Sequence, residues 1–406
     1  MARRAVQGSH VLVVEVPGWS ETRMRVEAEL ARSGWVAALS PADADILLVC
    51  GAPGQELAAV CEGVWAQLPG PRARATVLTE GGVVSTLEQL ATELLDEARQ
   101  RRDARTRSRQ PGEEGSAMQH IQSSAHEAHG TAHEEGHSRG HQPAEPDADA
   151  DADADADMDM DMDMPMPGGI ALASGGSDRD GLEMDVLNVP LGPVLPHWPA
   201  GLVVRCVLQG DVIVSAGAEV LPAARQANDG GGMGSSSIRR STHEQGRRAV
   251  VRHSDAAVQV LALAGWSSAA GRAGRIRDNA VSGAALVDLA AALEQLGRRI
   301  KRSRLLRWTL KGIVVAPGFD APHDGGSRAD AVSVRDRLIE WLDEAVRIAR
   351  GAPDAYESPE FAAAQHSNLA ALPGLITGTD IASARLIVAG LAIDTAKIAY
   401  APEPLS

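Results

Sequence analysis

The sequence predicts an α/β domain at the amino end and an α+β, mainly helical domain at the carboxyl end, joined by a disordered linker. Three observations predict this. Apolar runs rich in β-branched residues alternate with helix-spaced segments over residues 9–101. Residues 102–177 lose apolar content and gain charge and short repeats. From residue 254 onward the apolar spacing is helical almost throughout.

Taken in order, residues 10–16 (HVLVVEV) form a buried-strand run, and residues 22–34 carry helical spacing that stops at Gly34. Residues 44–50 are a second buried strand. It enters the turn Gly51, Ala52, Pro53, Gly54, and a helix over 55–67 follows. Residues 73–79 are a third strand and 84–100 a third helix. Strand and helix alternate, so the predicted sheet is small, parallel and flavodoxin-like, with helices on its faces. The first domain is placed at 1–101, the linker at 102–177 and the second domain at 178–406. In the second domain, residues 203–208 and 211–216 flank Gln209 and Gly210 as a hairpin, and residues 225–248 read as a flexible loop. Helices are predicted over 254–266, 268–282, 284–301, 330–349 and 380–395, the last with Thr379 or Asp380 as N-cap.

Composition narrows the function classes. The chain has 406 residues, 44% of them hydrophobic but only 3% aromatic, so the cores are aliphatic. The Ala, Arg and Gly bias also fits a GC-rich genome. Net charge is -15, and residues 102–180 hold 18 acidic against 6 basic residues, so most of the excess sits in the linker. That distribution argues against a nucleic-acid binder. Three cysteines, Cys50, Cys61 and Cys206, fit neither a disulfide framework nor a zinc knuckle. With no signal-like segment and no apolar run of about 20 residues, the expectation is a cytoplasmic protein without membrane insertion.

The candidate chemistry is sparse. The turn at Gly51 follows a strand and opens a helix, but it lacks both a GxGxxG pattern and a phosphate-loop lysine, so a plain βα turn is favoured. Cys50 at a strand end and Cys61 on the following helix read as buried, inert thiols. No catalytic or cofactor-binding residue is assigned. His120, His126, His129, His133, His137 and His141 are concentrated in the linker, and Met158, Met160, Met162, Met164 and Met166 follow in an Asp-Met repeat. Imidazole suits nickel, copper or zinc, thioether suits Cu(I) and the aspartates suit hard cations, so the segment mixes three ligand classes without one site geometry, and weak nickel or copper binding is the metal chemistry expected of it. A soluble spacer is the favoured reading, because such a segment has no preorganised site. His253 and Asp255 are placed at a helix start, with Asp255 favourable to the helix dipole. Arg298, Arg299, Lys301, Arg302, Arg304, Arg307 and Lys311 form a basic stretch around Trp308. It reads as a solvated helix face that could also meet nucleic acid, acidic lipid or the acidic linker. Trp198, Trp266 and Trp308 are candidate partner anchors, with core packing the commoner role.

Two stretches carry a resemblance. Residues 44–78, with Trp65, Gln67, Pro69, Pro71 and Arg72 after the strand, turn and helix, resemble the small cluster-bearing subunit shared by respiratory complex I and NiFe hydrogenases. Residues 178–221, with Gly192, Pro193, Pro196, Gly201 and the hairpin at Gly210 and Asp211, resemble the start of the large hydrogenase-like subunit of complex I. The family's tandem cysteine pair is replaced by EVPGWS after Val14, its later cysteines are absent, and Ala200 stands where a histidine is expected, with His197 nearby. The resemblance therefore implies a cofactor-less, actinobacterial-type paralogue acting as a structural or assembly partner, with hydrogenase or complex I-type subunits as its partners. Two alternatives stay open. One is a metal-handling protein working through the linker; the other is a redox subunit that shares a cluster with a partner through Cys50 or Cys61.

Overall fold

A computed structural model describes residues 8–108, 174–177, 183–224, 242–316, 332–351 and 359–399. In the first module, β1 (His10–Glu15) pairs in parallel with β2 (Val36–Ala37) and β3 (Ile46–Cys50), and β3 pairs in parallel with β4 (Ala73–Val77). The sheet order is β2-β1-β3-β4. Side-chain alternation sorts β3 between two cores. Ile46, Leu48 and Cys50 join Val26, Leu30, Leu87 and Leu90 from α1 (Ser20–Ser33) and α3 (Val83–Leu95). Leu47 and Val49 join Leu57, Cys61 and Val64 from α2 (Gln55–Gln67). Covered on both faces, β3 must be apolar at every position, and it is. α1 stops at Gly34, whose φ of 74° lets its N–H reach Leu30 O.

The helix expected over 84–100 is two helices. Asp96 leaves helical geometry and caps α4 (Glu97–Arg107) by accepting from the Arg99 N–H. α4 runs past the boundary expected at 101 because Arg72 anchors it. The Arg72 guanidinium meets both Asp103 oxygens at 3.1 and 3.2 Å, and Gln100 brackets the Arg72 backbone at 2.9 and 3.0 Å.

The second module opens with an antiparallel sheet of β5 (Ser174–Ser177), β6 (Glu183–Leu191), β7 (Leu202–Gln209) and β8 (Val212–Val220). The hairpin at Gly210 forms as expected, with φ of 62° at the glycine. β6 was not among the expected strands. β5 pairs with β6 only as far as Val186, so among the described residues Pro190 has β7 on one side and no second ladder to break. Helices follow: α5 (Thr242–Leu263), α6 (Ser267–Val281), α7 (Leu286–Arg302), α8 (Arg304–Thr309), α9 (Val334–Ala349), α10 (Pro359–Ile376), α11 (Ile381–Leu391) and α12 (Thr395–Ala399). A two-stranded ladder of β9 (Val314–Ala316) and β10 (Val332–Ser333) precedes α9.

The loop expected over 225–248 is overturned at its end, where α5 begins at Thr242. Tertiary packing recruits the polar stretch. Ala249 and Val250 are fully buried, and Arg247 donates to the Ala280 and Ala284 carbonyls. Asp380 caps α11 through the Ser383 N–H, as expected. Among the described residues no helix is long and apolar enough to cross a membrane.

The two modules share their cores. Met24 of α1 packs in the second module's core, while Val203 and Leu221 pack in the first module's. Pro53 and Ala223 form an antiparallel bridge, and the Ala224 N–H donates to Ala52 O at 3.4 Å.

Candidate functional site

The strand order reverses direction between β1 and β3, whose carboxyl ends, Glu15 and Cys50, are register partners. In open α/β sheets the crevice beyond these ends is where ligands bind. Here the chain fills it. After β1 the turn through Gly18 (φ 89°) brings Trp19 back over the turn after β3. Any Cβ on Gly51 would fall inside the Trp19 indole. Gly54, at the start of α2, has the Pro222 carbonyl where its own Cβ would be, and a Cβ on Gly201 would lie 2.8 Å from Pro17 Cγ. Glycine at 51, 54 and 201 therefore lets the second module close directly over the crevice.

Beside this seam lies a ring of charges. Arg23 on α1 donates to Glu15 at 2.5 Å, Glu27 at 2.7 Å and Asp255 of α5 at 2.6 Å. Arg277 on α6 donates to Glu27 and Asp255, both at 2.7 Å, and to Asp278 at 2.9 and 3.0 Å. Glu27 and Asp255 thus each bridge both guanidiniums, one carboxylate from each module. Arg277 is 3% exposed and Asp255 8%, whereas the Glu27 side chain keeps 31%, so the pairing is dehydrated around Asp255 and Arg277 and meets water at Glu27. His253 and Asp255 sit mid-helix, not at the helix start expected for them. Asp255 serves the ring instead of a dipole, and burial lowers the His253 pKa to about 3.

Four carboxylates face two guanidiniums, and their pKa values split accordingly. For Glu27 and Asp255 burial pushes upward, yet the two arginines together hold them below the ordinary range. Glu15 has only Arg23, so burial wins and raises its pKa; Asp278 is raised in the same way. A raised folded-state pKa means that the folded chain binds that proton more tightly than the unfolded chain. The Glu15 charge therefore costs stability at neutral pH, and the cost fades as pH falls through its raised value. Glu15→Gln keeps a carbonyl for the Arg23 Nε. It is expected to raise the urea midpoint at pH 7, with the gain vanishing as the native Glu15 protonates. An equal gain at all pH values would refute this assignment of Glu15.

His197 adopts φ of 56° in the turn before Trp198, and Arg385 of α11 donates to the preceding Pro196 carbonyl at 2.8 Å. Surrounding protein lowers the His197 pKa, against the opposing pull of Glu27. Trp198 is a core residue that donates to Leu202 O at 2.8 Å; Trp266 is partly buried beneath the Arg299 guanidinium, and Trp308 is exposed.

The cysteines lie apart. Cys50 and Cys61 belong to the cores on opposite faces of the sheet, and Cys206 belongs to the second module's core. Burial raises all three thiols, Cys61 and Cys206 to about 11 and Cys50 higher still. Thiolate character is thus suppressed where metal ligation or nucleophilic attack would require it. Among the described residues no group of three or more His, Cys, Asp or Glu side chains is placed to hold a metal ion. The linker ligands, His120 to His141 and Met158 to Met164, lie outside the described residues.

Sequence reasoning missed Glu15, Arg23, Glu27, Arg277 and Asp278. Arg23 and Glu27 stand four apart on a helix, which reads as an ordinary exposed pair. Nothing local indicates that Asp255, 232 residues onward, completes it. Comparison with protein-family models, curated proteins and solved structures finds no match to the chain.

Proposed function

We propose that the chain is a non-catalytic structural or assembly partner, a fused paralogue of complex I or NiFe-hydrogenase small- and large-subunit modules that carries no iron–sulfur or nickel–iron centre of its own. One observation carries the reading. The crevice at the carboxyl ends of β1 and β3, where an open α/β sheet offers a ligand site, is filled by Trp19 and roofed by residues 222–224 of the second module. A site built to receive a ligand leaves that space free. The motif match agrees, since the turn after β1, where the family carries paired cysteines, here carries the Trp19 that fills the crevice. Separation of Cys50 from Cys61 on the two sheet faces speaks against a cluster shared through both of them.

The test is anaerobic affinity purification from the native host, with co-purifying proteins identified by mass spectrometry. Hydrogenase or complex I-type subunits in stoichiometric amount are the expected result. A bound iron–sulfur cluster in the pure protein would overturn the reading.

A further inference from the structure

From the basic end of α7 through α8, the surface combines charge with exposed apolar area. Leu305 is 71% exposed and Trp308 75%, one helical turn apart on α8, while Leu306 between them is buried and fixes the helix to the core. Arg302, Arg304, Arg307 and Lys311 flank them within three residues in the sequence. All four are exposed, and none forms an ion pair among the described residues. By contrast, neighbouring Arg298 is paired with Glu294 and Lys301 with Asp343. An exposed tryptophan and leucine among exposed cations that form no ion pair with the described residues is the composition of a docking surface for an anionic, partly apolar occupant.

We infer that this surface docks the chain's own acidic repeat, residues 147–166. That segment places an aspartate at every odd position from Asp147 to Asp163, alternating first with alanine and then with Met158, Met160, Met162 and Met164. It therefore supplies anions for the four cations and thioethers for the indole and the leucine within one short stretch. The tether permits it. Asp157 lies 17 residues before Ser174. Drawn out, those residues span about 55–60 Å, against a diameter on the order of 50 Å for a domain of this size. Held on the same chain, the repeat meets the patch at an effective concentration on the order of millimolar. A lipid surface of like charge has to be met from solution. The contact is electrostatic at exposed groups and yields to salt.

The chain's three lysines make carbodiimide cross-linking a selective probe, because Lys311 lies in the patch, Lys301 is paired and Lys397 lies on α12. The full chain, prepared as a mixture of unlabelled and 15N-labelled protein, is cross-linked and mapped by mass spectrometry. Intrachain links from Lys311 to aspartates of 147–163 are expected. They should fall about fivefold or more between roughly 20 and 500 mM salt, and also in the triple variant Arg302→Ser, Arg304→Ser, Arg307→Ser, which keeps Lys311. Links from Lys397 at equal yield, links between labelled and unlabelled chains only, or salt-insensitive links would overturn the inference. So would retention of the native chain on phosphatidylserine vesicles with Lys311 left unlinked, which would make a lipid surface the occupant.

Discussion

Replacing Arg23 with methionine is expected to destabilise the protein by about 3–5 kcal/mol at pH 7, read as a lowered urea midpoint. Methionine fills much of the space of the aliphatic stem but leaves Glu15 with no cation and Glu27 and Asp255 with one guanidinium where they had two. The loss comes chiefly from carboxylates left charged in a dehydrated seam, so it depends on pH. In the native chain Glu27 and Asp255 have lowered pKa values. Their contribution is present above the ordinary carboxylate range and is lost as pH falls through those lowered values. Native and variant stabilities should therefore converge on acidification. Arg277→Met, alone and combined with Arg23→Met, should be non-additive, because both cations serve the same two carboxylates. A deficit below about 1 kcal/mol, the range of exposed pairs, would show that the ring is hydrated and does not hold the modules together.

The second large effect is expected at Gly51. Its φ of 108° is closed to side chains, and its missing Cβ is where Trp19 lies. Gly51→Ala combines backbone strain with overpacking and should cost about 2–5 kcal/mol. The comparison with Gly217→Ala, where a Cβ meets nothing within 4 Å, separates crowding from a general intolerance of alanine. If the crevice is closed as described, Trp19→Ala in the Gly51→Ala background should recover part of the loss by making room for the methyl group. No recovery would mean that strain at φ dominates and that Trp19 can move aside.

The first module was legible because its information is local. The apolar run of β3 has one environment on both faces, Gly34 ends α1 in the left-handed conformation that glycine adopts without strain, and the alternation of strand and helix points to a parallel sheet. The same holds for the Gly210 hairpin and the Asp380 cap. Misreadings fell where distant packing decides. β6 went unnamed because its place is set by pairing with β7 and not by its own pattern, and the polar start of α5 looked like loop until α6 and α9 covered it.

By itself, then, the sequence determined the class of each module, the burial of Cys50 and Cys61, the place of the acidic segment and the charge pattern around Trp308. Only the tertiary structure decided that the two modules share one seam, that Trp19 closes the crevice of the first, and that Arg23 and Arg277 lock Glu27 to Asp255 across it. The physical reason is sequence distance. Helix and strand periodicity encode which face is apolar within a few residues. An ion pair between Arg23 and Asp255 has no local signature, and it exists only once folding has dehydrated both groups in one place.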